Sequence, residues 1–297
     1  MTTPESPAAG VPEAYTKRWN EEFYRREDPW GVLEHTWHLA KARRAVELLP
    51  KREYRFCLDL CCGEGTITKR YLAPRCRRIL GLDYVPTAID RAKAGNPGPG
   101  IEYRLADVLE FDYGSLRPGP DLVHISDVVF YFGRAQLDRL LGALAAIKSR
   151  PQVLIVSRLM YRQFCREHPD MIAYSPGYDC YETWDELTEM ASRHFRVASV
   201  TPVHEYAERF MPWGDDRLSA AARRIFHLIF IKAFTRLFFP WLGPEAMDEM
   251  RFRLIRLCGA MPLAGRLARR MMQWYAIILK PKGSPGSGPR GGASGRP

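Results

Sequence analysis

Alternation of short apolar runs with helical stretches, sustained from Arg55 to Arg158, predicts an α/β fold with a mostly parallel sheet and helices on both faces. Two further observations sharpen this. Leu58-Asp59-Leu60 runs straight into the glycine turn Cys61-Cys62-Gly63-Glu64-Gly65. Three acids, Asp83, Asp107 and Asp127, then close successive strand candidates. Open sheets of this kind bind ligands beyond the carboxyl ends of their strands. Glycine there lets backbone approach a ligand closely, and an acid about eighteen residues past Gly65 is placed to accept both hydroxyls of a ribose. The expectation is a nucleoside cleft.

The elements follow in order. Residues 1–12 are rich in Pro, Ala and Thr and are expected to be disordered, as is the basic 281–297 tail. Residues 13–50 read as a helical segment with Trp19, Phe23, Trp30, Trp37 and Leu39 among its apolar positions, broken at Asp28-Pro29-Trp30-Gly31. Strands are expected at 55–61, 78–83, 101–105, 121–126 and 152–158, with helices at 66–73, 86–94 and 135–148 between them. A helix near 183–194, a strand near 196–203 and a last strand at Trp274–Lys280 complete the sheet domain, 51–203 plus 274–280. The interval 204–273 is an expected helical insert beside the substrate mouth. Within it, residues 225–239 are apolar nearly all round but interrupted by His227, Lys232 and Arg236, and the run is too short for a membrane span. Two readings stay open: a helix buried against the sheet domain, and an interfacial helix whose basic residues reach anionic headgroups.

The glycine loop lacks the third glycine of a dinucleotide fingerprint, and its order is acid-x-small-x-Gly-x-Gly. From Asp59 through Gly65 it resembles motif I of the class I S-adenosylmethionine-dependent methyltransferases, with Cys61 where that family usually has glycine. Tyr103-Arg104-Leu105-Ala106-Asp107-Val108 resembles the family's next motif, and Asp121–Asp127 its fourth strand and functional edge. The N-terminal Arg25–Gly31, Thr36-Trp37-His38 and Leu48-Leu49-Pro50 resemble the nodulation protein S-like group, whose corresponding segment covers cofactor and substrate. The resemblance implies a Rossmann-like sheet with an antiparallel closing strand, an N-terminal lid and S-adenosyl-L-methionine as cofactor. It places Asp59, Cys61, Gly63 and Gly65 at the methionine end, Asp83 and Tyr84 at the ribose, and Asp107 with Val108 at the adenine. Ser126 lies at the edge facing the methyl group, and Trp30 in the lid.

Candidates for the chemistry itself are Asp127, His35 and His38, each with a packing or capping role as the alternative. The edge after the fourth strand lacks the Asn/Asp-Pro-Pro-Tyr signature of members acting on bases, which argues against a nucleic-acid substrate despite a net charge of +10. Four of those charges fall in or beside the tail, at Lys280, Lys282, Arg290 and Arg296. The acceptor expected is a small or amphipathic metabolite methylated on nitrogen or oxygen. The alternatives are a methyltransferase-like protein that binds a nucleoside without turnover, and an RNA methyltransferase. Seven cysteines, an odd number with three in a core strand and its turn, suggest reduced thiols. No spacing suits a zinc site, and no signal-peptide pattern opens the chain, so a cytoplasmic setting is expected. Oligomeric state is not legible from sequence.

Overall fold

The computed structural model describes residues 21–33, 36–129, 132–158, 184–205, 237, 241–259 and 272–283. Trp19, His35, Tyr131 and almost all of the apolar run 225–239 lie outside the described residues. Seven strands form one sheet: β1 (Tyr54–Leu60), β2 (Cys76–Asp83), β3 (Ile101–Leu105), β4 (Leu122–Ser126), β5 (Gln152–Arg158), β6 (Phe195–Glu205) and β7 (Met272–Pro281). Their order across the sheet is β3-β2-β1-β4-β5-β7-β6. The first five are mutually parallel. The last strand enters between β5 and β6 and runs antiparallel to both.

β1 buries five successive residues from Phe56 to Leu60, as a strand covered by helices on both faces must. One layer gathers Phe56, Leu58, Leu60, Leu82 and Ile125 with Leu137, Leu140, Leu141 and Leu144. The last four lie along one face of α3 (Arg134–Ala145), at helical spacing. On the other face Cys57, Ile79, Leu154 and Trp274 meet Ala45, Val46 and Leu49 from the end of α1 (Thr36–Glu47) and the turn beyond it. α2 (Pro86–Gly95) begins with a proline in its first turn, where a missing N–H costs nothing. α4 (Trp184–His194) opens on Asp185 and Glu186 and ends on Arg193 and His194, matching charge to the helix dipole. From the insert, α5 (Pro244–Gly259) packs on α1: Glu249 accepts from Arg44 at 2.9 Å and Arg43 at 3.1 Å. The Arg44 guanidinium also covers the Phe252 ring and donates to the Val203 carbonyl.

The break at Asp28-Pro29-Trp30-Gly31 is a built turn. Both Asp28 oxygens accept backbone N–H groups, from Val32 and Leu33, each at 2.8 Å. Asp28 itself takes a positive φ of 42°.

Candidate active site

At the carboxyl end of β1 the backbone turns left-handed three times within five residues, with φ of 55° at Cys61, 54° at Gly63 and 76° at Gly65. A non-glycine residue in that region costs roughly 1–2 kcal/mol; Cys61 carries it and its small side chain packs on the core. The left-handed backbone favours glycine at both positions, and tyrosines crowd each of them. A Cβ on Gly65 would stand 2.5 Å from the Tyr103 hydroxyl, and one on Gly63 3.0 Å from that of Tyr24. The contact at Gly65 adds to the conformational freedom that its left-handed turn already demands. Tyr103 lies beneath the loop and donates to the Asn96 carbonyl at 3.0 Å.

Asp59 was expected at the ligand. Its carboxylate is committed to protein partners: the Thr68 hydroxyl at 2.5 Å and His124 Nδ1 at 2.7 Å. Thr68 lies in the helical stretch after the loop, so Asp59 ties strand, loop and neighbouring β4 together. His124 is buried within β4 and is this carboxylate's partner.

Asp83 ends β2 and closes the loop from the other side. It accepts from the Gly63 N–H at 2.9 Å and the Val85 N–H at 3.0 Å. Burial pushes its carboxyl up to about 6, although these backbone donors pull the other way. A buried carboxylate with few donors is poised to accept more, which is what ribose hydroxyls supply. Over it sits the N-terminal segment. Tyr24 and Trp30 form a cluster with Tyr84, Val85 and Ala88, and the Trp30 indole donates to the Tyr24 hydroxyl at 3.0 Å. Burial and then the Asp83 charge push the Tyr24 phenol well up, so it stays protonated. Arg91 latches segment to loop, donating to the Arg26 carbonyl and to Glu64.

Asp107 follows β3 and accepts the Leu109 N–H at 2.9 Å, while the side chain of Val108 is buried in the core. Its expected use at the adenine edge would therefore fall to its backbone.

The fourth strand ends at Ser126, and Asp127 follows with φ 57°. Its Oδ2 meets Lys41 Nζ at 2.5 Å and accepts from Ser126 at 3.2 Å; Oδ1 accepts the Trp274 indole N–H at 2.9 Å. Burial would raise this carboxyl, but the Lys41 charge and hydrogen bond, then His38 and Trp274, hold it below the usual carboxylate range. His38 stacks on Trp37, with ring centroids 3.5 Å apart. Trp37 in turn stacks on His204 at 5.1 Å and lies 5.2 Å from Trp274. Predicted Asp127 and His38 thus share one wall. Sequence reasoning missed Lys41, Trp37 and Trp274 as the partners in this wall, and Tyr24 as a neighbour of Asp83. A lone cation in Leu39-Ala40-Lys41-Ala42, one turn after Trp37 on the same helix face, was the available signal.

Among the described residues no group of three His, Cys, Asp or Glu could hold a metal. Burial pushes the thiols of Cys61 and Cys62 well up, leaving them as small, half-buried hydrophobes packed on the core.

Residues 57–148 match the protein family described as a methyltransferase domain. Nodulation protein S of Rhizobium tropici is 29% identical over 109 residues, 36% of this chain and 44% of that protein. An uncharacterized methyltransferase of Synechocystis sp. is 38% identical over 87 residues, 29% of this chain and 39% of that protein. The chain thus spans less than half the length of the curated relatives it matches. The crystal structure of N-methyltransferase NodS from Bradyrhizobium japonicum, in complex with S-adenosyl-L-homocysteine, superposes with a TM-score of 0.53 at 17% identity. That likeness covers 65% of this chain and 92% of that one, and concerns the fold. With a glycine loop anchored by a buried strand-end acid and these matches over the same residues, the chain carries a methyltransferase domain with the class I fold, similar to that of nodulation protein S.

Proposed function

We propose that this protein transfers the methyl group of S-adenosyl-L-methionine to a nitrogen or oxygen of a small or amphipathic metabolite. The observation that carries the reading is Asp83: a buried strand-end carboxylate, bonded to the glycine loop and roofed by Tyr24 and Trp30. When bound, the cofactor supplies an electrophilic methyl on sulfur. The protein's share is to bind, align and exclude water, and alignment alone can account for much of the rate.

In this reading Asp83 and Tyr84 hold the ribose, Asp107 and the Val108 backbone the adenine, and the Cys61–Gly65 loop the methionine end. Asp59 serves by fixing that loop. Trp30 closes the cleft as part of the lid, and Ser126, Asp127 and His38 face the acceptor, with His35 a further candidate. The 204–273 insert shapes the acceptor pocket, since α5 already packs on the lid helix. The nitrogen alternative draws support from the N-methyltransferase among the fold neighbours. A cytoplasmic setting is supported by the odd number of cysteines. No helix among the described residues is long and apolar enough to cross a membrane. A metabolite screen with methyl-labelled cofactor tests the proposal. Label appearing in a metabolite with stoichiometric S-adenosylhomocysteine supports it. Tight cofactor binding with no transfer to any metabolite would favour the silent nucleoside-binding protein, and label in RNA would favour the RNA enzyme.

A further inference from the structure

Lys41 is fully buried, although nothing in the cofactor cleft calls for a cation there. Withdrawing an ammonium from water is costly unless a partner meets it. The partner is Asp127, and the rings of Trp37 and Trp274 lie 5.3 Å and 5.0 Å from Nζ, within range of a cation–π interaction. The pair is sealed on one side only: the Lys41 side chain is 0% exposed and that of Asp127 29%. A buried ion pair generally stabilises no better than an apolar pair of equal volume, so a one-sided pair at a sheet's functional edge calls for another account.

Asp127 is also held rigidly. Its N–H donates to the Val156 carbonyl at 2.8 Å, its backbone is left-handed, and both of its oxygens already accept protein donors. The remaining acceptor capacity of a carboxylate lies on the exposed side. The groups acting on it are Lys41 and His38 from α1, Trp274 from β7 and Ser126 from β4, with His204 of β6 behind Trp274 at 5.7 Å.

We propose that Lys41 is a positioning residue: by its ion pair it keeps Asp127 a fixed, charged hydrogen-bond acceptor that grips an N–H or O–H of the acceptor without taking its proton. This rests on the methyltransferase reading and names how its acceptor is held. For an amine, the nitrogen lone pair forms the new N–C bond as the C–S bond breaks, sulfur keeps that electron pair, and the surplus proton leaves the product ammonium to water. Asp127 steadies the positive charge growing on nitrogen throughout.

The test follows the Trp274 indole N–H by NMR in the S-adenosylhomocysteine complex of the full chain, assigned through its loss in Trp274→Phe. In the native protein the resonance should not titrate above about pH 4, the ordinary carboxylate value. In Lys41→Met the midpoint should rise by at least about one pH unit, a tenfold change in proton affinity. Lys41→Arg should restore native behaviour, and ligand affinity should stay within about twofold in both variants. A merely structural lysine would leave the Lys41→Met titration unchanged, which overturns the proposal. If Lys41→Met does not fold, the native titration still decides, since a midpoint clearly above the ordinary value sinks the idea. Butylammonium chloride, added as a donor probe, should shift the same resonance saturably in the native protein and not in Asp127→Asn. No shift in the native protein refutes the grip. Failure of the native protein to bind S-adenosylhomocysteine at all would instead remove the underlying methyltransferase reading.

Discussion

Cofactor affinity should depend on pH through Asp83. Its carboxyl is buried and raised from 3.8 to about 6. A carboxyl raised in the folded state gives stability that is full below the unfolded value and lost as pH rises through the folded one. In the ligand-free protein, ionised Asp83 therefore costs on the order of 3 kcal/mol at neutral pH. On the proposed reading, ribose hydroxyls would donate to the ionised form and offset that cost, so binding should favour the deprotonated protein. With a free-state value near 6, affinity for S-adenosylhomocysteine should fall about tenfold between pH 7 and pH 5. The ligand's own carboxylate and ammonium do not titrate in that window. Calorimetry at pH 5, 6 and 7, in buffers of differing ionisation enthalpy, reads both the affinity and the proton released. Asp83→Ala should bind roughly ten- to hundredfold more weakly at pH 7, as expected for lost hydrogen bonds to a charged group, and should lose the pH dependence. A native affinity that is flat across this range would refute the reasoning, because no ribose contact to ionised Asp83 could then be present.

Gly65→Ala should destabilise the protein by about 2–4 kcal/mol, since the new Cβ meets the Tyr103 hydroxyl at 2.5 Å and the backbone is left-handed. Thermal unfolding should drop on the order of 10 °C, and an unchanged midpoint would mean that Tyr103 yields freely. Residues 21–33, held at the cleft by Trp30 and Arg91, should gain protection from hydrogen exchange when S-adenosylhomocysteine binds. Equal exchange with and without ligand would make them fixed structure. Replacing 206–271 by a short turn should leave cofactor binding intact and abolish methylation. Retained turnover would show that the insert serves neither pocket nor catalysis.

The sheet was legible because its signals are local. Apolar runs, the glycine turn and the acids at the ends of β2, β3 and β4 each declare themselves within a few residues. Asp83 was legible for the same reason, and so was the turn after Asp28, whose carboxylate caps amides four and five residues on. What sequence could not show are pairings made at a distance. Lys41 meets Asp127 across 86 positions and Trp274 meets it across 147. Tyr24 comes to lie at Asp83 only once the N-terminal segment has packed on Val85 and Ala88. The pairing of His124 with Asp59, across 65 positions, is of the same kind. The last strand was expected as an antiparallel closing strand; that it lies between β5 and β6 is a matter of strand order, which no local pattern encodes.

That placement has a consequence for synthesis. Among the described residues β7 is the one neighbour of β6 and the one bridge from β6 to the rest of the sheet. While the ribosome makes the insert, β5 therefore offers an unpaired edge and β6 has nowhere to dock. Such edges recruit other chains. Nascent polypeptides stalled before Met272 should be sticky and protease-sensitive, becoming inert once Trp274–Leu279 emerges. The same late strand delivers the indole whose N–H Asp127 accepts, so the contact of Lys41, Asp127 and Trp274 is completed last.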